Sequence, residues 1–143
     1  MTKRLRHILL EIISALLILL FVYTGIDKLG NIARFRKILS ASPLIGSMAG
    51  PISFLLPFAE LSIALLLFIP SLRKWGLLAS LAIMSLFTLY LSYMIYFTPD
   101  LPCTCGGVLP QMTWRQHLVF NIFFTFLAAT GLGLHKRIKS LSR

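Results

Sequence analysis

Four long apolar runs dominate the chain, and short polar segments separate them. The runs cover about residues 8–26, 51–69, 75–97 and 117–134. Each run has about 18–23 residues, which is the length an α-helix needs, at a rise of about 1.5 Å per residue, to cross about 30 Å of hydrocarbon. The pattern therefore predicts an all-α fold, an integral membrane four-helix bundle in which residues 1–143 form a single transmembrane domain.

The segment between the first and second runs is too polar to cross a membrane. Its apolar residues recur at helical spacing while basic residues fall on the other face: Ile32, Phe35, Ile38 and Leu39 against Arg34 and Lys37. This pattern predicts a short amphipathic helix in the membrane interface, followed by a turn at Ser42–Pro43. Its basic face is expected to contact the headgroups of membrane lipid.

Composition and charge support a membrane protein and argue against a nucleic-acid-binding one. The chain is 57% hydrophobic and 13% charged, whereas soluble domains have about 25% charged residues. The net charge is +10, but the basic residues flank the apolar runs and form no stripe interleaved with base-stacking aromatic residues. Basic residues at the ends of spans set membrane orientation.

The distribution of basic residues predicts the orientation of the bundle. With four spans both termini lie on one side of the membrane, and nine of the 14 Lys and Arg residues fall there, against five on the other side. The positive-inside rule then favours cytoplasmic termini in a bacterial inner membrane, with the loop before the fourth run in the periplasm. The first run resembles a secretory signal but lacks a small-residue cleavage site, so we expect an uncleaved helix.

That loop contains both cysteines of the chain, Cys103 and Cys105, in the stretch "LPCTCGGVLP". A disulfide between residues i and i+2 departs from relaxed geometry and exchanges readily, while so short a closed loop adds little stability. An oxidising compartment permits such a bond. We therefore predict a redox pair. A soft copper site that includes His117, or two inert thiols, are the alternatives.

Ionisable residues inside the apolar runs are the second signal. Glu60 lies near the middle of the second run, where a carboxylate must be protonated or paired within the bundle. Lys28, at the end of the first run, either reaches toward Glu60 or extends to the interface. Asp27 is a candidate to approach His117 or Arg115. A purely structural hydrogen bond between helices is the alternative role for Glu60.

Further polar residues occur near the start of the fourth run and in the third. His117 and Asn121 lie on the side of the membrane where the cysteines are expected, and His117 is a candidate to shuttle a proton. Tyr90, Tyr93 and Tyr96 are typical of an aromatic belt. Because the candidate polar residues fall at the midplane or on the outer side, we expect a site that opens outward.

These residues together resemble the MauE/DoxX-like family of bacterial membrane proteins. The resemblance is carried by "YTGIDKL", "SPL", "PFAEL", "LLLF" and the Cys-x-Cys-Gly loop, and it covers most of the chain. The positions that match the family pattern are Gly25, Lys28, Leu29, Glu60, Cys103 and Cys105. The sequence departs from the common Cys-Gly-Cys-Phe-Gly by having "CTCGG". DoxX proteins generally lack the cysteine pair, so a role as an oxidase subunit is not implied.

Resemblance to MauE implies a redox-associated membrane protein that is linked to disulfide formation in a periplasmic partner. Resemblance to DoxX implies, more loosely, an association with quinol or thiosulfate–quinone chemistry. We therefore expect Cys103 and Cys105, assisted by His117, to exchange electrons with a periplasmic or secreted thiol protein. A quinone is expected near Glu60, Lys28, Asp27 and Asn121. The alternatives are a non-catalytic accessory or assembly subunit and a copper-binding membrane protein.

Overall fold

The computed structural model describes residues 1–99 and 112–142, and this part of the chain is helical without a strand. Its α-helices are α1 (Lys3–Gly30), α2 (Ile32–Ser40), α3 (Ala49–Phe68), α4 (Arg73–Phe97) and α5 (Trp114–Ser140), and a 3-10 turn, Gly46–Met48, precedes α3. The helices α1, α3, α4 and α5 are long and apolar enough to cross a membrane. The predicted fold class, a helical membrane bundle, is confirmed.

Helices α1 and α5 extend beyond the apolar runs that predicted them, because polar turns continue them at both ends. Helix α1 begins at Lys3, where the Thr2 hydroxyl accepts a hydrogen bond from the Leu5 amide. Helix α5 begins with a capping box in which the side chains of Thr113 and Gln116 each accept from the backbone amide of the other. Apolarity therefore predicts only the central part of these two helices, and capping side chains satisfy amides in their polar first turns.

The four long helices pack in the cyclic order α1, α3, α4, α5. Helices α1 and α4 each contact both α3 and α5. Small residues allow the close approaches. A Cβ on Gly25 of α1 would lie 3.0 Å from Cγ of Leu61 and 3.3 Å from the carbonyl oxygen of Pro57, both on α3. Close backbone contact at glycine is the usual means by which membrane helices associate.

The two ends of the bundle differ in what they contain. At the first end, Arg73 at the start of α4 forms an ion pair with Glu11 in the N-terminal third of α1, and α1 begins and α5 ends there. We call this the terminal end. The opposite end contains α2, the 3-10 turn, the end of α4 and the start of α5, and we call it the α2 end.

Helix α2 is present where the amphipathic pattern predicted it, and it is also part of the bundle. Its buried residues Phe35 and Leu39 pack against Ala49, and Ile52 and Leu56 of α3 lie against the same cluster. The helix therefore covers the α2 end with its apolar face, while its basic residues remain exposed.

Candidate functional site

A cavity of about 370 Å³ lies inside the α2 end, and every one of the helices α1–α5 contributes to its lining. Most of the lining is apolar. The residues with polar groups in the lining are Thr24, Lys28, Ser42, Glu60, Tyr90, Trp114, His117 and Asn121. A concave, mainly apolar cavity of about 300–1,000 Å³ with a few convergent polar groups is typical of a small-molecule site.

An ion pair between α1 and α3 forms one wall of this cavity. Nζ of Lys28 lies 2.6 Å from Oε1 of Glu60, and the two side chains are only 13% and 2% exposed. The close approach of the helices at Gly25, one turn before Lys28, brings the two residues within reach. Because a lone charge at this depth is unfavourable, the two residues are tolerated inside the bundle as a pair.

The surroundings of the ion pair leave one carboxylate oxygen available. Oε2 of Glu60 is buried and has no hydrogen-bond partner among the described residues. The Lys28 ammonium also lies 5.6 Å from the ring centre of Phe35 and 5.7 Å from that of Phe87. These cation–π contacts hold the lysine in place, and Oε2 remains as an acceptor beside an apolar space.

The opposite wall comes from α4 and α5, with a link to the segment that follows α2. The Tyr90 hydroxyl donates to Oγ of Ser42 over 2.9 Å, which ties α4 to the residue two positions after α2. On α5 the Asn121 amide, 3% exposed, donates to the carbonyl oxygen of His117 over 3.0 Å. The cavity therefore has hydroxyl, amide and imidazole groups across from the carboxylate.

Four of the predicted site residues meet at this cavity: Lys28, Glu60, His117 and Asn121. Asp27 does not join them. It is exposed on another side of α1, and its carboxylate accepts a hydrogen bond from the Asn31 side chain over 3.3 Å instead of approaching His117 or Arg115. Successive residues of a helix are rotated by about 100°, so Asp27 is directed away from Glu60 when Lys28 faces it. Asp27 therefore does not line the cavity, contrary to the prediction that it contributes to a cofactor site.

The two predicted redox residues, Cys103 and Cys105, lie outside the described residues. The chain enters that segment from the end of α4 and leaves it shortly before α5. Within residues 1–99 and 112–142, no group of three or more His, Cys, Asp or Glu side chains is arranged to hold a metal ion. The cysteines lie outside these ranges, so copper binding stays a hypothesis.

Sequence reasoning missed several members of the cavity. Thr24 lies one helical turn before Lys28, a spacing that could have identified it. Tyr90 was assigned with Tyr93 and Tyr96 to an aromatic belt, but only the latter two are exposed and Tyr90 lines the cavity. No sequence signal distinguishes Ser42, because its position depends on how α2 folds back against the bundle.

The fold and the cavity define a multi-pass helical membrane protein with a buried ion pair beneath a helical cover at one end. The family model described as "Methylamine utilisation protein MauE" matches residues 6–134. The chain therefore belongs to the MauE family, and the resemblance found in its sequence is confirmed. Comparison with curated proteins and with solved structures gave no match.

Proposed function

We propose that this MauE-family protein is an inner-membrane thiol–disulfide redox protein whose α2 end faces the periplasm. In this proposal a disulfide between Cys103 and Cys105 accepts two electrons from a dithiol of a secreted or periplasmic protein. One partner thiolate attacks a sulfur of the pair and forms a mixed disulfide, and the second partner thiolate resolves it. The partner leaves as a disulfide and the pair as two thiols.

The position of the cavity is the observation that carries the proposal. Met94 in the last turn of α4 and Trp114 and His117 in the first turn of α5 all line it. Cys103 follows Met94 by nine residues, and Cys105 precedes Trp114 by nine. The segment with both cysteines is therefore joined in the chain to the two helix ends that line the cavity. This supports a link between the thiols and whatever the cavity binds.

The acceptor that we propose for the cavity is a quinone. A quinone ring has apolar faces and a hydrogen-bond-accepting oxygen at each end, and the cavity combines an apolar lining with two donors, the Lys28 ammonium and the Asn121 amide. When bound, a quinone would take up two electrons and two protons from the thiol pair. Oε2 of Glu60 can accept a hydrogen bond from a hydroxyl group, and His117 can pass on a proton.

Quinone reduction by the purified protein tests this function. The protein is reduced, freed of reductant and mixed with a short-chain ubiquinone analogue. We expect two thiols to be lost for each quinone reduced, followed by absorbance and by thiol titration. The variants Cys103→Ser and Cys105→Ser should each abolish the reaction while the protein remains helical and monodisperse.

Other outcomes would identify a different function. Stoichiometric copper in the purified protein, lost in either Ser variant, would replace the redox proposal with a copper-binding role. If a variant with both cysteines replaced by Ser sustains cell growth as well as the unaltered protein does, the protein is instead an accessory or assembly subunit.

A further inference from the structure

A second concave feature lies on the outside of the α2 end, separate from the internal cavity. It is a groove of about 370 Å³ between α2 and α3. One side has cationic and hydroxyl groups and the other is apolar. Its lining residues are Ile32, Ala33, Arg36, Lys37, Ser40 and Phe54.

The amphipathic character of α2 creates this groove. Phe35 and Leu39 hold the helix against α3, so Arg36 and Lys37 are directed to the outside and are exposed. A Cβ on Gly50 would lie 2.8 Å from Nη2 of Arg36. The glycine therefore leaves room for the guanidinium to lie across the start of α3, next to the apolar side of the groove.

The positive charge of the groove is not balanced by a nearby acid in the described part of the chain. The ion pairs found there are Lys28–Glu60, inside the bundle, and Arg73–Glu11, at the terminal end. Asp27, the other carboxylate in the described residues, bonds to Asn31. Arg36 and Lys37 thus present two cations that an external anion can neutralise.

The apolar side of the groove continues along α3 toward the middle of the membrane. Phe54 is 52% exposed, and Phe58, one turn further along the same face, is 58% exposed. A ligand that fits both sides must carry an anionic group at one end and a hydrocarbon chain at the other. We propose that the groove binds an anionic phospholipid, with its phosphate on Arg36 and Lys37 and an acyl chain along Phe54 and Phe58.

This proposal does not depend on the redox function. Free phosphate would use only the cations and would leave the phenylalanines unpartnered, which is why a lipid is the better fit. Lipid binding would also explain why Arg36 and Lys37 occur on the periplasmic side, where the positive-inside rule disfavours basic residues.

Native mass spectrometry of the full chain in detergent tests the site. Dioleoyl-phosphatidylglycerol and dioleoyl-phosphatidylcholine are added in turn, and bound lipid is counted. We expect preferential binding of the phosphatidylglycerol, and the double variant R36Q/K37Q should weaken it by about tenfold. The double variant R34Q/R115Q removes two exposed charges from the same end without touching the groove and should retain binding.

The apolar side is tested separately by Phe54→Ala, with Leu55→Ala as its control, since Leu55 is exposed on α3 but outside the groove lining. Phe54→Ala should weaken lipid binding even if R36Q/K37Q fails to fold. Equal binding of the two lipids by the unaltered protein would overturn the proposal. So would equal losses in both charge variants, or displacement of the lipid by millimolar inorganic phosphate, which would identify a phosphate site instead.

Discussion

Lys28 and Glu60 show how one pair of residues can serve both the fold and a site. Each is unfavourable in a bilayer alone, and together they are tolerated because the charges lie 2.6 Å apart. Removal of one partner from a buried pair is more damaging than replacement of both by apolar residues, since the survivor is left as an uncompensated buried charge. Variants of this pair can therefore distinguish its effect on the stability of the bundle from its effect on the proposed quinone reduction.

Glu60→Gln should destabilise the bundle by about 3 kcal/mol because it leaves the Lys28 ammonium without a counter-charge. The measurement is the free energy of unfolding in mixed micelles. Asp27→Asn makes the same chemical change on an exposed carboxylate of α1 and should alter stability little. Equal effects of the two substitutions would contradict a special role for the buried pair.

The double variant Lys28→Met with Glu60→Leu should restore most of that stability, because it removes both charges and keeps apolar volume. If the cavity binds the quinone, the variant should nevertheless lose quinone reduction. A stable double variant that still reduces quinone at the unaltered rate would show that the ion pair only packs the bundle.

Part of the site was predictable at the residue scale. The need of Glu60 for a partner, and the presence of Lys28 at the end of a neighbouring span, follow from the energetics of buried charge. Asp27 does not join the site, because the rotation of about 100° per residue places it on another side of α1 from Lys28. The Tyr90–Ser42 hydrogen bond was not predictable, since it joins residues 48 apart through the fold of α2.

At the scale of elements, glycines determine how closely the helices approach. Gly25 has Leu61 and Pro57 of α3 against it, whereas Gly133 on α5 has nothing within 4 Å of the position a Cβ would take. The number of membrane-spanning helices and their positions along the chain could be predicted, because a span must match the thickness of hydrocarbon. Which face of each helix meets its neighbour could not, because apolar residues surround these helices on all sides.

The two glycines should respond oppositely to the same substitution. Gly25→Ala pushes α1 from α3 and should destabilise the protein by about 1–3 kcal/mol, while Gly133→Ala meets no neighbour and should stabilise its helix by up to about 1 kcal/mol. Thermal unfolding of the two variants measures both effects. A lower unfolding temperature for Gly133→Ala would show that the contacts of α5 are tighter than described.

At the scale of the whole molecule, orientation decides whether the proposed chemistry is possible. Membrane-impermeant maleimide should label Cys103 and Cys105 in intact cells after mild reduction. In the Cys103→Ser, Cys105→Ser background, Ser142→Cys at the terminal end should be labelled only after lysis. The reverse pattern would place the cysteines in a reducing cytoplasm and remove the basis for a redox role.

The uneven depth of polar groups has a consequence for the coupling of this protein to the membrane potential. At the terminal end the buried core is aliphatic, and it includes Leu10, Ile13, Leu67, Leu77 and Leu134. Inward of the cavity the hydroxyls of Thr88 and Thr125 lie 3.3 Å apart, and each donates to a carbonyl of its own helix. The buried hydroxyls of Ser14 and Ser80 do the same, so no titratable side chain continues the cavity inward among the described residues. In the proposed redox reaction, protons exchanged at the cavity would therefore enter and leave on one face, and turnover would be electroneutral and insensitive to voltage.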